Sequence, residues 1–422
     1  MKRVVITGMG TVNPVGCSVA ESWTNLTEGH SGISAVCHME VEDLSSKIAG
    51  MIPSERSPSA FAAHFVRDDY ISDKEAARMD MFSVYAIAAA DQACRQAGLD
   101  TLTDEQRERA GVSIGSGIGG LPYMEDTMNV LREKGARRVS PFFLPACLIN
   151  LAAGHVSIRH KLHGPNVAVV TACATGTHSI CDAVRMIRSD EADIMVCGGA
   201  EGAVCRLAMA GFGALKALSS HYNDRPTEAS RPWDKARDGF VIGEGAGVLV
   251  LESYEHAKAR SAEIFGEVVG YGLSGDAYHV TAPCSDGRGA YAAMYNALKM
   301  SQISVEEIGY VNAHGTSTGL GDLAELRAVE KLFGCHAEKL AMSSTKSSIG
   351  HLLGASGAVE AIFSLMSLRT GILPPTLNLH DPEETEINLI PLNAQEKKIR
   401  YAMSNSFGFG GTNCSVIFKA CV

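Results

Sequence analysis

The run Val169-Val170-Thr171-Ala172-Cys173-Ala174-Thr175-Gly176-Thr177 joins an apolar β-branched segment to a helical pattern without a spacer. β-Branched residues suit a strand, and Ile180, Val184 and Ile187 then recur at the spacing of one buried helix face. A strand feeding straight into a helix is a unit of α/β architecture. The small residues at the junction imply a sharp turn that exposes its central side chain, here Cys173. A helix start favours negative charge, so the turn is expected to lower the thiol below its usual value of about 8.5 and activate it. On this context alone a buried structural cysteine is equally compatible.

Outward from that turn, strand-like runs at 3–7, 111–115, 194–197, 247–251 and 308–311 join the one at 166–171. They alternate with helical patterns at 81–97, 178–188, 290–299, 322–333 and 352–369. Such alternation predicts an α/β fold with buried, largely parallel sheets. Residues 3–16 and 265–276 share a faint pattern of apolar residues followed by glycines, as a duplication would leave. Residues 28–75 and 378–398 read as loops or caps.

The chain has 422 residues, enough for two or three domain-sized units. Its 37 basic and 47 acidic residues give a net charge of −10, with no basic stripe, which argues against nucleic acid. Its 12 cysteines form no CxxC pair and no zinc spacing, so reduced thiols and no metal are expected. The opening segment lacks a signal-peptide pattern, and no uncharged run nears the ~18 residues of a membrane span. A soluble cytoplasmic protein without membrane insertion is expected.

Glycine-rich motifs invite a nucleotide-binding reading, which the context disfavours. Gly115-Ser116-Gly117-Ile118-Gly119-Gly120 matches G-x-G-x-x-G but comes late, with Pro122 soon after. Gly8-Met9-Gly10 lacks the third glycine, and Gly243-Glu244-Gly245-Ala246-Gly247 leads into a strand.

Two histidines lie in turn-like loops: Asn312-Ala313-His314-Gly315-Thr316-Ser317-Thr318 after a strand, and Lys346-Ser347-Ser348-Ile349-Gly350-His351 before a long apolar helix. Loops after strands are where ligands of α/β sheets gather. Glu360 sits inside that apolar helix, and a buried carboxylate calls for a partner, for which Lys346 is the nearest attractive choice. Near the end, Ser406-Phe407-Gly408-Phe409-Gly410-Gly411-Thr412-Asn413 is a turn able to aim backbone N–H groups at an anion, or a hairpin.

Together these segments resemble the β-ketoacyl synthase family of thiolase-like condensing enzymes, and most nearly its type II synthases of bacterial fatty-acid synthesis. The resemblance runs from Val4-Val5-Ile6-Thr7-Gly8-Met9-Gly10 through Arg231-Pro232-Trp233-Asp234 to the Phe407–Asn413 turn. It implies duplicated halves, 1–252 with the cysteine and 253–422 with the histidines, in α-β-α-β-α layers. It also implies decarboxylating condensation of an acyl group on Cys173 with malonyl-acyl carrier protein. In that scheme His314 and His351 stabilise the enolate, the amides of Cys173 and Phe409 form the oxyanion hole, and Lys346 and Glu360 support them. Thr316 and Thr318 would meet the pantetheine arm, Ile118 and Phe212 the acyl chain, and Phe407 would also bind substrate. Lys74, Arg78 and Lys216 would dock the carrier protein. No cofactor beyond the substrates' own phosphopantetheine is implied, and a homodimer is expected. Ala174-Thr175-Gly176 departs from the usual Thr-Ser-Gly and keeps a type II polyketide ketosynthase as the alternative. Cys414 is read as packing, not as a thiolase's second catalytic cysteine.

Overall fold

The computed structural model describes residues 2–55 and 57–421. Its main strands are β1 (Val4–Val12), β2 (Ala110–Gly115), β3 (Asn166–Val167), β4 (Ile194–Glu201), β5 (Gly245–Ser253), β6 (Gly266–Gly275), β7 (Ile308–Asn312), β8 (Ala341–Ser343), β9 (Tyr401–Gly408) and β10 (Thr412–Lys419). The helices that pack on them are α1 (Met81–Gln96), α2 (Asn150–His160), α3 (Thr175–Arg188), α4 (Arg288–Ser301), α5 (Gly319–Phe333) and α6 (Ser356–Thr370).

The strand order is β8-β7-β9-β10-β6-β1-β5-β4-β2-β3. Each half thus repeats one plan, with its first strand innermost, and the halves meet where Val4–Ile6 pairs with Gly266–Val268. The boundary expected at 252/253 falls at the end of β5. The sheet is mixed rather than largely parallel: β2 runs parallel to β3 and β4, and β7 to β8 and β9, while the other pairings are antiparallel. The glycine-rich stretch near the end is a hairpin, in which Gly410 and Gly411 take φ of +88° and +69° between β9 and β10.

Period-two alternation sorts the core into layers. On β4, Ile194 and Val196 pack with α1 and α2, while Met195 and Cys197 join Ile180, Val184, Ile362 and Leu365 of α3 and α6. On the other half, Val416 and Phe418 face α3 and α6, while Ile417 faces Met294 of α4 and Val329 of α5. The result is five layers, α1/α2, sheet, α3/α6, sheet, α4/α5. α6 is buried on nearly every side, as a middle layer requires.

The echo between residues 3–16 and 265–276 has a steric origin. A Cβ on Gly8 or Gly10 would lie 2.2 or 2.0 Å from carbonyl oxygens of α1. A Cβ on Gly270 or Gly272 would lie 2.5 or 2.0 Å from carbonyl oxygens of α4. Each half lays its first long helix directly on its first strand, so the same two positions must be bare.

The strand expected at 166–171 shortens to Asn166–Val167. It lies at the sheet edge with a neighbour on one side only, and Val170 points outward, 54% exposed. The turn itself is as expected: Ala172 takes φ +48°, a single 3-10 turn spans Ala172–Ala174, and α3 starts at Thr175. The second half repeats it, with Leu353 at φ +49°, a 3-10 turn over Leu353–Ala355 and α6 from Ser356. Gly354 stands where the first half has Cys173.

Candidate active site

Cys173, His314 and His351, supplied by different elements, line one cavity of about 500 Å³. The Cys173 thiol is buried, and burial, reinforced by the Glu201 charge, pushes its pKa up to about 12, against the downward pull of the Lys346 charge and of the N–H groups of Phe409 and Cys173. The expectation of a lowered thiol is therefore reversed in the resting site, because burial outweighs the local attraction for a thiolate. The two N–H groups that face the sulfur come from the turn itself and from the β9–β10 hairpin.

His314 follows β7 in a loop pinned by Glu325 of α5. The N–H of His314 donates to Glu325 Oε1 at 2.9 Å and that of Gly315 to Oε2 at 2.8 Å. Asn405 Nδ2 donates to the same carboxylate at 3.1 Å. His351 is held by its N–H to the Val241 carbonyl and by Nδ1, 2.9 Å from Ser356 Oγ. The imidazoles meet edge to face, centroids 5.4 Å apart. They sit in a row of rings running Phe212, Phe240, His351, His314, Phe407, with neighbouring centroids 5.3 to 5.6 Å apart. Burial and then the Lys346 charge hold both histidines well below their ordinary value. Both are neutral at pH 7, each with one N–H to donate.

Lys346 and Glu360 form a buried ion pair, as the sequence suggested. Glu360 Oε2 and both amide atoms of Asn312 are buried without a hydrogen-bond partner among the described residues. Thr316 and Thr318 line the cavity with their hydroxyls 3.0 Å apart. Phe407, Phe409 and Phe212 line it too, and exposed Lys216 stands on its wall. Ile118 packs just outside, against the cluster containing Cys173 and Leu353, as Phe212 also does. Lys74 and Arg78 do not line the cavity: Lys74 lies on the exposed turn Asp73–Ala76, and the Arg78 guanidinium lies 4.4 Å over the Phe142 ring. Cys414 is buried beside Cys181, with sulfurs 3.3 Å apart, and is not part of the cavity wall.

Sequence reasoning missed Glu325, Glu201 and Phe240. For Glu325 a signal existed, a carboxylate beside Ala324 and Ala328 on the apolar side of a predicted helix.

The profile of the β-ketoacyl synthase N-terminal domain matches residues 1–257, and that of the C-terminal domain matches residues 265–380. The chain belongs to the β-ketoacyl synthase family. The 3-oxoacyl-[acyl-carrier-protein] synthase 2 of Rhizobium meliloti (strain 1021) is 56% identical over 421 residues, covering 99% of each chain. A solved β-ketoacyl synthase from Burkholderia phymatum STM815 superposes with a TM-score of 0.90 at 35% identity, covering all of both chains. A type II polyketide ketosynthase, solved in complex with its acyl-carrier protein and bound to the hexaketide, gives 0.89 at 31% over all of both chains. The five-layer arrangement is thus the thiolase-like fold of ketosynthases. Among the described residues no cluster of His, Cys, Asp and Glu suits a metal ion, and no helix is long and apolar enough to cross a membrane.

Proposed function

We propose that this β-ketoacyl synthase performs the decarboxylating condensation of fatty-acid chain elongation, joining an acyl group on Cys173 to malonyl-acyl carrier protein. The observation that carries the reading is the convergence, in one cavity, of a thiol under two backbone N–H groups and two neutral histidines. In the first half-reaction Cys173 Sγ attacks the acyl thioester and the carrier thiol leaves, taking up the proton that the cysteine gives. The N–H groups of Cys173 and Phe409 stabilise the tetrahedral oxyanion, and placed donors of this kind are worth roughly 10²–10³ in rate. In the second, malonyl carrier protein loses CO2 and its thioester oxygen gathers enolate charge, which the N–H groups of His314 and His351 stabilise. The enolate carbon attacks the acyl-Cys173 carbonyl, the C–S bond breaks, and the thiolate regains a proton from solvent. Neutral imidazoles suit this role because each carries a ring N–H to donate while no resting charge has to be buried. Identity of 56% to a 3-oxoacyl synthase 2, against 31% to a polyketide ketosynthase, favours fatty-acid elongation.

Lys346 and Glu360 order the histidine loop in this scheme, Thr316, Thr318 and Phe407 border the pantetheine arm, and Ile118 and Phe212 the acyl chain. Lys216 receives the acidic carrier protein at the cavity, with Lys74 and Arg78 as outer contacts. No cofactor is required beyond the arm that the carrier brings. The working form is a homodimer in the cytoplasm, with halves 1–252 and 253–422 in each protomer. In support of the dimer, Met124, Met128 and Leu131 form an exposed apolar stripe on the helix Leu121–Lys134. That helix packs on Phe143–Cys147, which leads through α2 to edge strand β3, where Leu144, Ile158 and Val170 are also exposed. A second copy of this surface covers both the stripe and the open edge.

The test is reconstitution with acyl- and malonyl-carrier protein and mass analysis of the product. A 3-oxoacyl carrier two carbons longer is expected, and none from Cys173→Ala. No product from the unmodified protein, or undiminished product from the variant, overturns the mechanism.

A further inference from the structure

The G-x-G-x-x-G loop at residues 115–120 does cradle an acidic group, but that group belongs to the protein. Glu201, the last residue of β4, is completely buried. Burial raises its pKa, and the groups that oppose this are all neutral donors. Ser116 Oγ donates to Oε1 at 2.6 Å, and the N–H groups of Ile118 and Gly119 reach the same oxygen at 3.2 and 3.3 Å. The N–H groups of Gly117 and Gly354 donate to Oε2 at 2.8 and 2.9 Å. Successive backbone N–H groups converging on one anion are how phosphate loops work. Here the carboxylate occupies the nest, and the glycines are explained by it. A Cβ on Gly117 would lie 2.8 Å from Oε2, and one on Gly354 would lie 2.9 Å from Oε2 and 2.2 Å from Gly117 N.

The carboxylate therefore ties three things together: strand β4, the loop that carries Ile118, and the second turn at Gly354. Ile118, like Phe212, packs against the buried cluster that contains Cys173 and Leu353. The position of this apolar wall relative to the nucleophile hangs on one side chain that touches neither substrate nor thiol. Resting on the condensation reading above, we propose that Glu201 is a positioning residue for acyl-chain selectivity, holding the Ile118 loop at a fixed distance from Cys173.

Glu201→Gln keeps the volume but turns an amide NH2 toward donors that need an acceptor. Loss of one or two such hydrogen bonds is expected to flatten the ratio of kcat/KM between the preferred acyl carrier protein and one four carbons shorter by about fivefold. CO2 release from malonyl carrier protein, a reaction on the histidine side, changes less than twofold. Amide hydrogen exchange over residues 117–119 speeds up about tenfold, a readout independent of activity. An unchanged selectivity ratio in a folded variant overturns the proposal, and so does an equal loss on all chain lengths and on CO2 release, which marks a merely structural role. If the glutamine variant does not fold, Ser116→Ala removes only the 2.6 Å hydroxyl donor. It is read in the same way, a smaller flattening supporting the proposal and none overturning it. Accelerated exchange in a protein that makes no condensed product overturns the condensation reading while leaving the anchoring intact; ordinary catalysis with unaltered exchange and selectivity overturns the anchoring alone.

Discussion

Replacing Lys346 by methionine strands Glu360 as an uncompensated charge inside α6. Both members of the pair are buried, with relative exposures of 1% and 0%. Removing one partner of a buried pair costs about 3–5 kcal/mol, most of it the desolvation of the charge left behind. Exchanging both for apolar residues of similar size is often neutral or better. Lys346→Met should thus lose about 3–5 kcal/mol, and Lys346→Met with Glu360→Leu should recover most of it. Activity should not recover in the double variant. The Lys346 charge pulls the Cys173 thiol down and adds to the burial that keeps both histidines neutral, and no apolar pair replaces that. Urea denaturation followed by circular dichroism gives the stabilities, and mass analysis of acyl transfer to Cys173 gives the activity. A loss below about 1 kcal/mol in the single variant, or a double variant no more stable than the single, would refute the assignment of the pair as a desolvated structural charge couple.

Alkylation of Cys173 by iodoacetamide, followed on its own peptide, should climb about tenfold per pH unit from pH 7 to 10, since the resting thiol lies near 12; a plateau near pH 7 would contradict this. The folded His351 pKa lies well below its unfolded value of about 6.5, so the unfolded chain takes up the proton first and stability is lost as pH falls below about 6.5, with no effect above it. His351→Asn should therefore make the fall in urea midpoint between pH 6.5 and 5.5 shallower, by the equivalent of about 1 kcal/mol; parallel profiles would count against a buried neutral ring. Gly10→Ala forces a Cβ to 2.0 Å from the Ala89 carbonyl, and thermal melting should register a loss above about 3 kcal/mol as α1 is pushed off β1. Leu144→Glu with Met128→Glu should lower the sedimentation coefficient from that of the proposed dimer to that of a folded monomer, with the far-UV circular dichroism unchanged; an unchanged sedimentation coefficient would locate the interface elsewhere.

Much of the site was legible because its parts are local. The turn at Cys173 and the loops at His314 and His351 are short strings whose small and hydroxyl residues announce tight backbone, and Lys346 with Glu360 followed from the cost of a lone buried charge. The Glu201 anchor was not legible, because it acts on amides that come from distant segments, whereas Glu325, close in sequence to the loop it pins, left only the hint of a carboxylate on an apolar helix side. Strand direction was hidden for a different reason. A strand covered on both faces reads as continuously apolar whichever way it runs, so β5, β6 and β10 gave no hint that they are antiparallel to their neighbours. The thiol's acidity was misjudged because a helix start is visible in sequence and the depth of burial is not.

The twin turns at Ala172 and Leu353 are alike in backbone yet cannot be alike in chemistry. At 354 any side chain would collide with the carboxylate that fixes the opposite loop, so that turn is condemned to glycine while the other is free to bear sulfur. Two halves built on one plan have in this way taken different parts, one reactivity and the other rigidity. Transplanting the nucleophile across the pseudo-dyad would require dismantling the Glu201 anchor first.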